Sequence, residues 1–250
     1  MVKILDILPV IGYQDSKLLD ANRKREEYGL AKLTSRMASI ENKLALGELA
    51  INPDAFLVSG TIKISTSEDQ LPLAPVRLIK TWTVNNRNFA QFSLQDPSYF
   101  NWYIGSFNTK PLKGSHGTLA YEIWPSLNHL FNLNIYEKAL SDSYRFINEK
   151  LGTFPFKEMR LVEIPLYGNQ FYSFANTIAI SEKEGWYADT TRLAERTYIY
   201  HTVVSGMMKL WLQNEINIAN VQGADMLSKA LPEALSLQYI KTHFGQPASD

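Results

Sequence analysis

The hydrophobic pattern changes twice along the chain. Over the first fifty residues it is helical and largely polar. The stretch DANRKREEYGL (20–30) sets charges around few apolar positions, and Gly29 supplies a helix stop. RKREE (23–27) reads as a charged helix face. In LTSRMASIENKLALGELA (33–50), Leu33, Met37, Ile40 and Leu44 recur three or four apart. That spacing predicts one apolar stripe on a helix, weakening at Gly47 and ending at INPDAF. From about residue 54 to 125 the period shortens to that of strands. AFLVSGTIKIST alternates at Ile62 and Ile64. PVRLIKTWTV and FAQFSLQ flank NNRN, where Asn85 and Asn86 tolerate positive φ, which predicts a hairpin. YFNWYIGSF and TLAYEIW predict two further strands, separated by NTKPLKGSHG, a loop by composition.

Beyond residue 125 helix and strand signals alternate. LFNLNIYEKALSDSYRFINEKLG (130–152) is amphipathic and ends at Gly152. EMRLVEIPLYG predicts a strand stopped by Pro165, and SFANTIAISE another extended piece. TTRLAERTYIYHTVVSGMMKLWLQNE (190–215) predicts a long helix. GADMLSKALPEALSLQYIKTHFG (223–245) predicts a second, which begins or kinks at Pro232. The reading is an α+β fold, an antiparallel β region followed by a helical lobe. A boundary near residue 97, at QDPS, divides it into 1–97 and 98–250.

Composition removes some functions. With 250 residues, 45% of them apolar, the chain can bury a core without metal or disulfide staples. Lys+Arg and Asp+Glu number 25 each, so the basic surplus of a nucleic-acid binder is missing. The same balance gives no general attraction to acidic membranes. Without cysteine there is no disulfide, thiolate metal site or cysteine nucleophile. No apolar run reaches the ~18 residues of a membrane span. MVKILDILPVIGYQ is broken by Asp6 and Pro9 and makes a poor signal peptide.

The histidines are His116, His129, His201 and His243, and none has another histidine four residues away. A two-histidine zinc clamp on one helix therefore cannot be built. Signatures for a serine nucleophile elbow, a P-loop or a dinucleotide fold are missing too. His116 lies in a Gly/Ser loop and reads as exposed. His129 stands near the start of a helix, where capping or solvation accounts for it. His243 sits in a last helical turn, where a cation suits the dipole.

The order of segments carries more. LGTFPFKEMRLVEIPLYG, FANTIAISE, a helix with YHTVVS (200–205), and ANVQGADMLSKALPEALSLQYI follow one another. That series resembles the catalytic domain of zinc aminopeptidases of the membrane alanyl aminopeptidase type (gluzincins). It is most like the version fused to bacterial ABC-type transporter permeases. ANVQGADMLS (219–228), TSEDQLPLAP (66–75) and IGYQDSKLLDANRKREEYGL (11–30) share that family's habits, so the resemblance covers almost the whole chain.

The resemblance implies a thermolysin-like helical lobe with YHTVVS on its central helix, cut short at its C-terminus. It places the first zinc histidine on His201, the general-base glutamate on Thr202 and the second zinc histidine on Ser205. The third ligand, a glutamate, falls on Lys229. The glutamate that grips the substrate amine falls on Ala175, before a retained Asn176. Threonine cannot take a proton from water near neutral pH, serine is a poor zinc ligand, and a lysine repels the metal. The spacing from Ser205 to Lys229 also exceeds the family's by about one helical turn.

The expectation is a zinc-aminopeptidase-like domain without catalysis and without cofactor. It would act as an extracytoplasmic, periplasmic binding or assembly module of a membrane transporter complex. Asn176, Glu182 and Glu233 would line a cleft for a peptide or protein. Transporter subunits or attached transmembrane segments would be further partners, and nucleic acid would not. The alternative is an active zinc metallopeptidase with rearranged ligands, His201 with Glu233 and Glu182. Lys229 is expected where zinc would sit or at the cleft mouth, with Glu233 one turn on as its salt-bridge partner.

Overall fold

The computed structural model describes residues 2–3, 19–33, 37–48, 50, 58–98, 103–107, 109–126, 128–164, 171–183 and 185–245. The fold is α+β, with three sheets and a layer of helices. The first helix, α1 (Asn22–Glu27), is short and has no buried residue. Gly29 ends it at φ 67°, and the Leu30 amide reaches back to the Arg25 carbonyl, closing a Schellman cap.

Strands β2 (Val58–Ser67), β4 (Arg77–Val84) and β5 (Arg87–Ser98) form an antiparallel sheet in the order β2-β5-β4. The hairpin predicted at Asn85-Asn86 is present. Both residues have positive φ, 49° and 57°, and Val84 pairs with Arg87 across the turn. Its buried face carries Ala90 and Phe92 with Ile62 and Ile64, packed on Ala74 and Val76 from the connection between β3 and β4. Short β3 (Leu71–Leu73) pairs instead with β6 (Tyr103–Phe107), which also takes β1 (Val2–Lys3). Strand pairing thus joins the two sides of residue 97.

The central sheet has the order β10-β11-β9-β8-β7. Its strands are β7 (Leu112–His116), β8 (Leu119–Trp124), β9 (Glu158–Ile164), β10 (Phe171–Phe174) and β11 (Thr177–Ser181). Strands β8, β9 and β11 are parallel, and the two outer strands run against them. The segment expected as a loop, 108–117, therefore holds strand β7. Its Gly114 is an accommodation rather than a break. A Cβ there would collide with the Tyr121 ring on the neighbouring strand. SFANTIAISE likewise forms a hairpin, turning at Ala175 with φ 49°.

Helices α2 (Leu133–Lys150) and α3 (Leu193–Glu215) pack on one face of this sheet. Met159, Leu161, Ile178 and Ile180 point from the strands to Leu140, Ile147, Val203, Val204 and Met207. The opposite face, with Trp124, Val162, Ile164 and Ala179, is also buried, under Leu71, Leu73 and Phe107. Burial on both faces explains why β11 and the Leu161-Val162 centre of β9 show no apolar–polar alternation. A π-helical turn (Met226–Ala230) leads into α4 (Leu231–Phe244), with Pro232 in its first turn, where the missing N–H is harmless.

The stripe Leu33, Met37, Ile40, Leu44 does not make a helix in the described residues 37–48. Ile40 and Leu44 are exposed, and only Ala45–Gly47 form a 3₁₀ turn. The backbone bonds of this segment go elsewhere. Ala38 bridges Val221, the Gln222 amide donates to the Ala38 carbonyl, and the Asn220 amide to the Glu48 carbonyl. Main-chain pairing with 218–222 replaces the helical ladder.

Gly206 sets how closely α3 approaches the sheet. A Cβ at 206 would stand 2.8 Å from Ile178 Cδ1 and 3.0 Å from its Cγ2. Gly206→Ala is expected to destabilise the fold by about 1–3 kcal/mol through overpacking, despite alanine's better helix propensity. Thermal or urea unfolding of the variant checks this, and an unchanged midpoint would refute the close contact.

Candidate functional site

Residues 201, 205 and 209 lie four apart on α3 and so share one face. That face meets α4 at a single carboxylate. His201 Nε2 lies 3.1 Å from Glu233 Oε2. The Ser205 hydroxyl donates to Glu233 Oε1 at 2.8 Å, and the Lys209 ammonium donates to the same oxygen at 2.8 Å. Lys209 also stands 4.3 Å from the centre of the Phe171 ring on edge strand β10. His201, Lys209 and Glu233 are all partly exposed, so the cluster opens to solvent. The hydrogen bond with His201 holds the Glu233 carboxyl down at about 2. Partial burial opposes this, and Lys209 and Ser205 reinforce it.

The structure brings together three of the residues named from the sequence, His201, Ser205 and Glu233. It corrects the partner of Lys229. That ammonium pairs with Asp225 at 2.8 Å, with both side chains about 70% exposed (72% and 68%). Lys229 lies within the π turn at 226–230, while Glu233, on the α-helical part that follows, is the residue that meets α3. Glu233 consequently pairs with Lys209 rather than with Lys229. Thr202 is buried, and its hydroxyl bonds the Tyr198 carbonyl one turn back, so it faces no cleft.

Asn176 is tied into the fold. Its carbonyl accepts the Arg160 amide at 2.8 Å, and its side-chain oxygen accepts from Thr177 and from the Arg160 guanidinium. Ala175 occupies the left-handed turn beside it. Glu182 does not join Glu233. It accepts the Tyr187 hydroxyl at 3.3 Å and belongs to a second cluster, with His129 and Glu163.

His129 is also corrected. It is not a solvated residue near a helix start: its imidazole is 2% exposed. Nδ1 bonds the Glu163 carboxylate and lies 3.0 Å from the Ser126 hydroxyl, while the Ser126 amide donates to Glu163 Oε2 at 2.7 Å. Burial raises the Glu163 carboxyl above its usual range, against the hydrogen bonds from Ser126 and His129; nearby Glu182 adds to the rise. Sequence reasoning passed over Lys209 and Glu163. Lys209 was visible as the third member of the 201, 205, 209 series. Glu163 was visible as an acid inside a buried strand run.

A zinc ion does not fit the Glu233 cluster as it stands. The residues present offer one imidazole and one carboxylate, and an ammonium is already bonded to that carboxylate. No third zinc-type ligand is added by Ser205.

No protein-family model matches the sequence, and no curated protein matches it. The fold is similar to the crystal structure of Legionella pneumophila aminopeptidase A in complex with aspartic acid, with a TM-score of 0.65 and 11% identity. The match covers 77% of this chain and 24% of that one, so the chain spans about a quarter of that protein's length. At such identity the likeness concerns the fold. Among the described residues no helix is long and apolar enough to cross a membrane.

The low Glu233 value sets a pH dependence. A carboxylate whose folded value lies near 2, below its ordinary 4.5, lends stability above about 4.5 and loses it as pH falls toward 2. Because 37% of the side chain meets solvent, the loss is about 1 kcal/mol, well below the full linkage value. Urea midpoints of wild type and Glu233→Gln measured from pH 6 to pH 2 are expected to converge at the acid end. Parallel curves would contradict the assignment.

Proposed function

We propose that this chain is a peptidase-like domain without peptidase activity, serving as an extracytoplasmic binding or assembly module of a membrane transporter complex. The observation that carries the first part is the Glu233 cluster. A peptidase of the resembled type would hold a metal dication on that face of its central helix. Here the Lys209 ammonium and the His201 imidazole answer the carboxylate. Thr202 has no proton-accepting power, and its hydroxyl is already committed to the Tyr198 carbonyl. Without a base and a polarised water, an amide bond is not attacked.

A binding role is supported by β10. It is the edge strand of the central sheet, and its Phe171 ring lies against Lys209 beside the cluster. An extended peptide adding to such an edge would gain main-chain hydrogen bonds, with flanking side chains giving selectivity. The transporter context rests on the run of motifs ending in ANVQGADMLS.

The second reading, an active zinc metallopeptidase, draws on the 3.1 Å approach of His201 to Glu233. Glu182, its expected third ligand, sits with His129 and Glu163 instead. The two readings separate in one assay. Purified protein with equimolar zinc is expected to leave aminoacyl p-nitroanilides intact. Zinc-dependent release of nitroaniline that disappears in His201→Ala would overturn the inactive reading. For the location, a periplasm-dependent reporter such as alkaline phosphatase, fused to the full-length protein, is expected to be active. An inactive fusion present at normal level would place the domain in the cytoplasm.

A further inference from the structure

We propose that His129, Glu163 and Glu182 form a site for a transition-metal dication at the carboxyl ends of the parallel strands. None of the three is a position where the family resemblance puts zinc. A ring nitrogen of His129 and one oxygen from each carboxylate lie within 4.8 Å of one another. An ion bonded at about 2.0–2.2 Å to each is compatible with such separations.

The placement follows from topology. Strands β8, β9 and β11 run parallel and end side by side. Ser126 and His129 follow the end of β8, Glu163 is the penultimate residue of β9, and Glu182 comes directly after β11. Glu163 has the same strand parity as Met159 and Leu161, which face the helices. All three ligands therefore converge on the crevice beyond the strand ends, where open α/β sheets place their ligands.

The charge of the group calls for a cation. Two carboxylates share one imidazole, so the group is net negative even with His129 protonated. Neither carboxylate is paired with a lysine or arginine among the described residues. Lys183, next along the chain, is exposed. Nδ1 of His129, turned to Glu163 and Ser126, is the nitrogen on the carboxylate side and the one that would meet the ion. An ion there supplies the missing positive charge.

One nitrogen and two carboxylates suit zinc, manganese or iron(II). Calcium prefers oxygen ligands throughout. The ion would fasten the loop before α2 to the ends of β9 and β11.

The test is calorimetric titration of the metal-stripped protein with zinc and with manganese, calcium serving as control. It is paired with melting curves of wild type, Glu182→Gln, Glu163→Gln, His201→Ala and Glu233→Gln. The expected result is one zinc or manganese ion per chain and a Tm raised by several degrees. Glu182→Gln and Glu163→Gln should lose both by at least tenfold in affinity. His201→Ala and Glu233→Gln should keep them. Glu182 is not part of the core, so its variant remains informative if Glu163→Gln fails to fold. Absence of stoichiometric binding overturns the site. So does binding that survives Glu182→Gln, or that is lost in His201→Ala instead.

Discussion

Helix α3 lies on the central sheet because residue 206 has no side chain. The approach of its backbone to Ile178 lets Val203, Val204 and Met207 seat between the strands and α2. Everything functional is then set by rotation about that axis. With the apolar face turned to the sheet, 201, 205 and 209 project along another face, where the Glu233 carboxylate of α4 answers all three. A wider spacing would loosen the core and misalign three polar contacts together.

The two polar clusters solve opposite electrostatic problems. At Glu233 a single carboxylate has more donors than it needs: an imidazole, a hydroxyl and an ammonium. It stays ionised down to about pH 2, and that charge ties the helix pair together. At the strand ends two carboxylates meet one imidazole in a drier setting, and the deficit is of positive charge.

Much of this was legible in the sequence because the signals were local. The Asn85-Asn86 turn, the helix ended by Gly152 and the long helix around YHTVVS each depend on neighbours a few residues away. The failures share a different cause. Residues 33–50 carry a helical stripe, yet their described backbone groups pair with 218–222, a partner no local window contains. Gly114 reads as a loop residue until Tyr121 is laid over it. The resemblance put Lys229 near the site, but Lys229 pairs with Asp225 in the π turn and Glu233 meets α3 instead. His129 looked solvated because Glu163, which buries it, lies far along the chain on another strand.

The bridge between Ala38 and Val221 has a kinetic consequence. The segment that delivers α4, and with it Glu233, is held by main-chain bonds to residues made long before it. Contacts of such high sequence separation close a large loop and bear its entropy before any gain is realised. The central sheet and α2 can condense from nearer neighbours. Residues 38, 48 and 50 are therefore expected to fasten to 218–222 late in folding, across a loop that spans most of the chain.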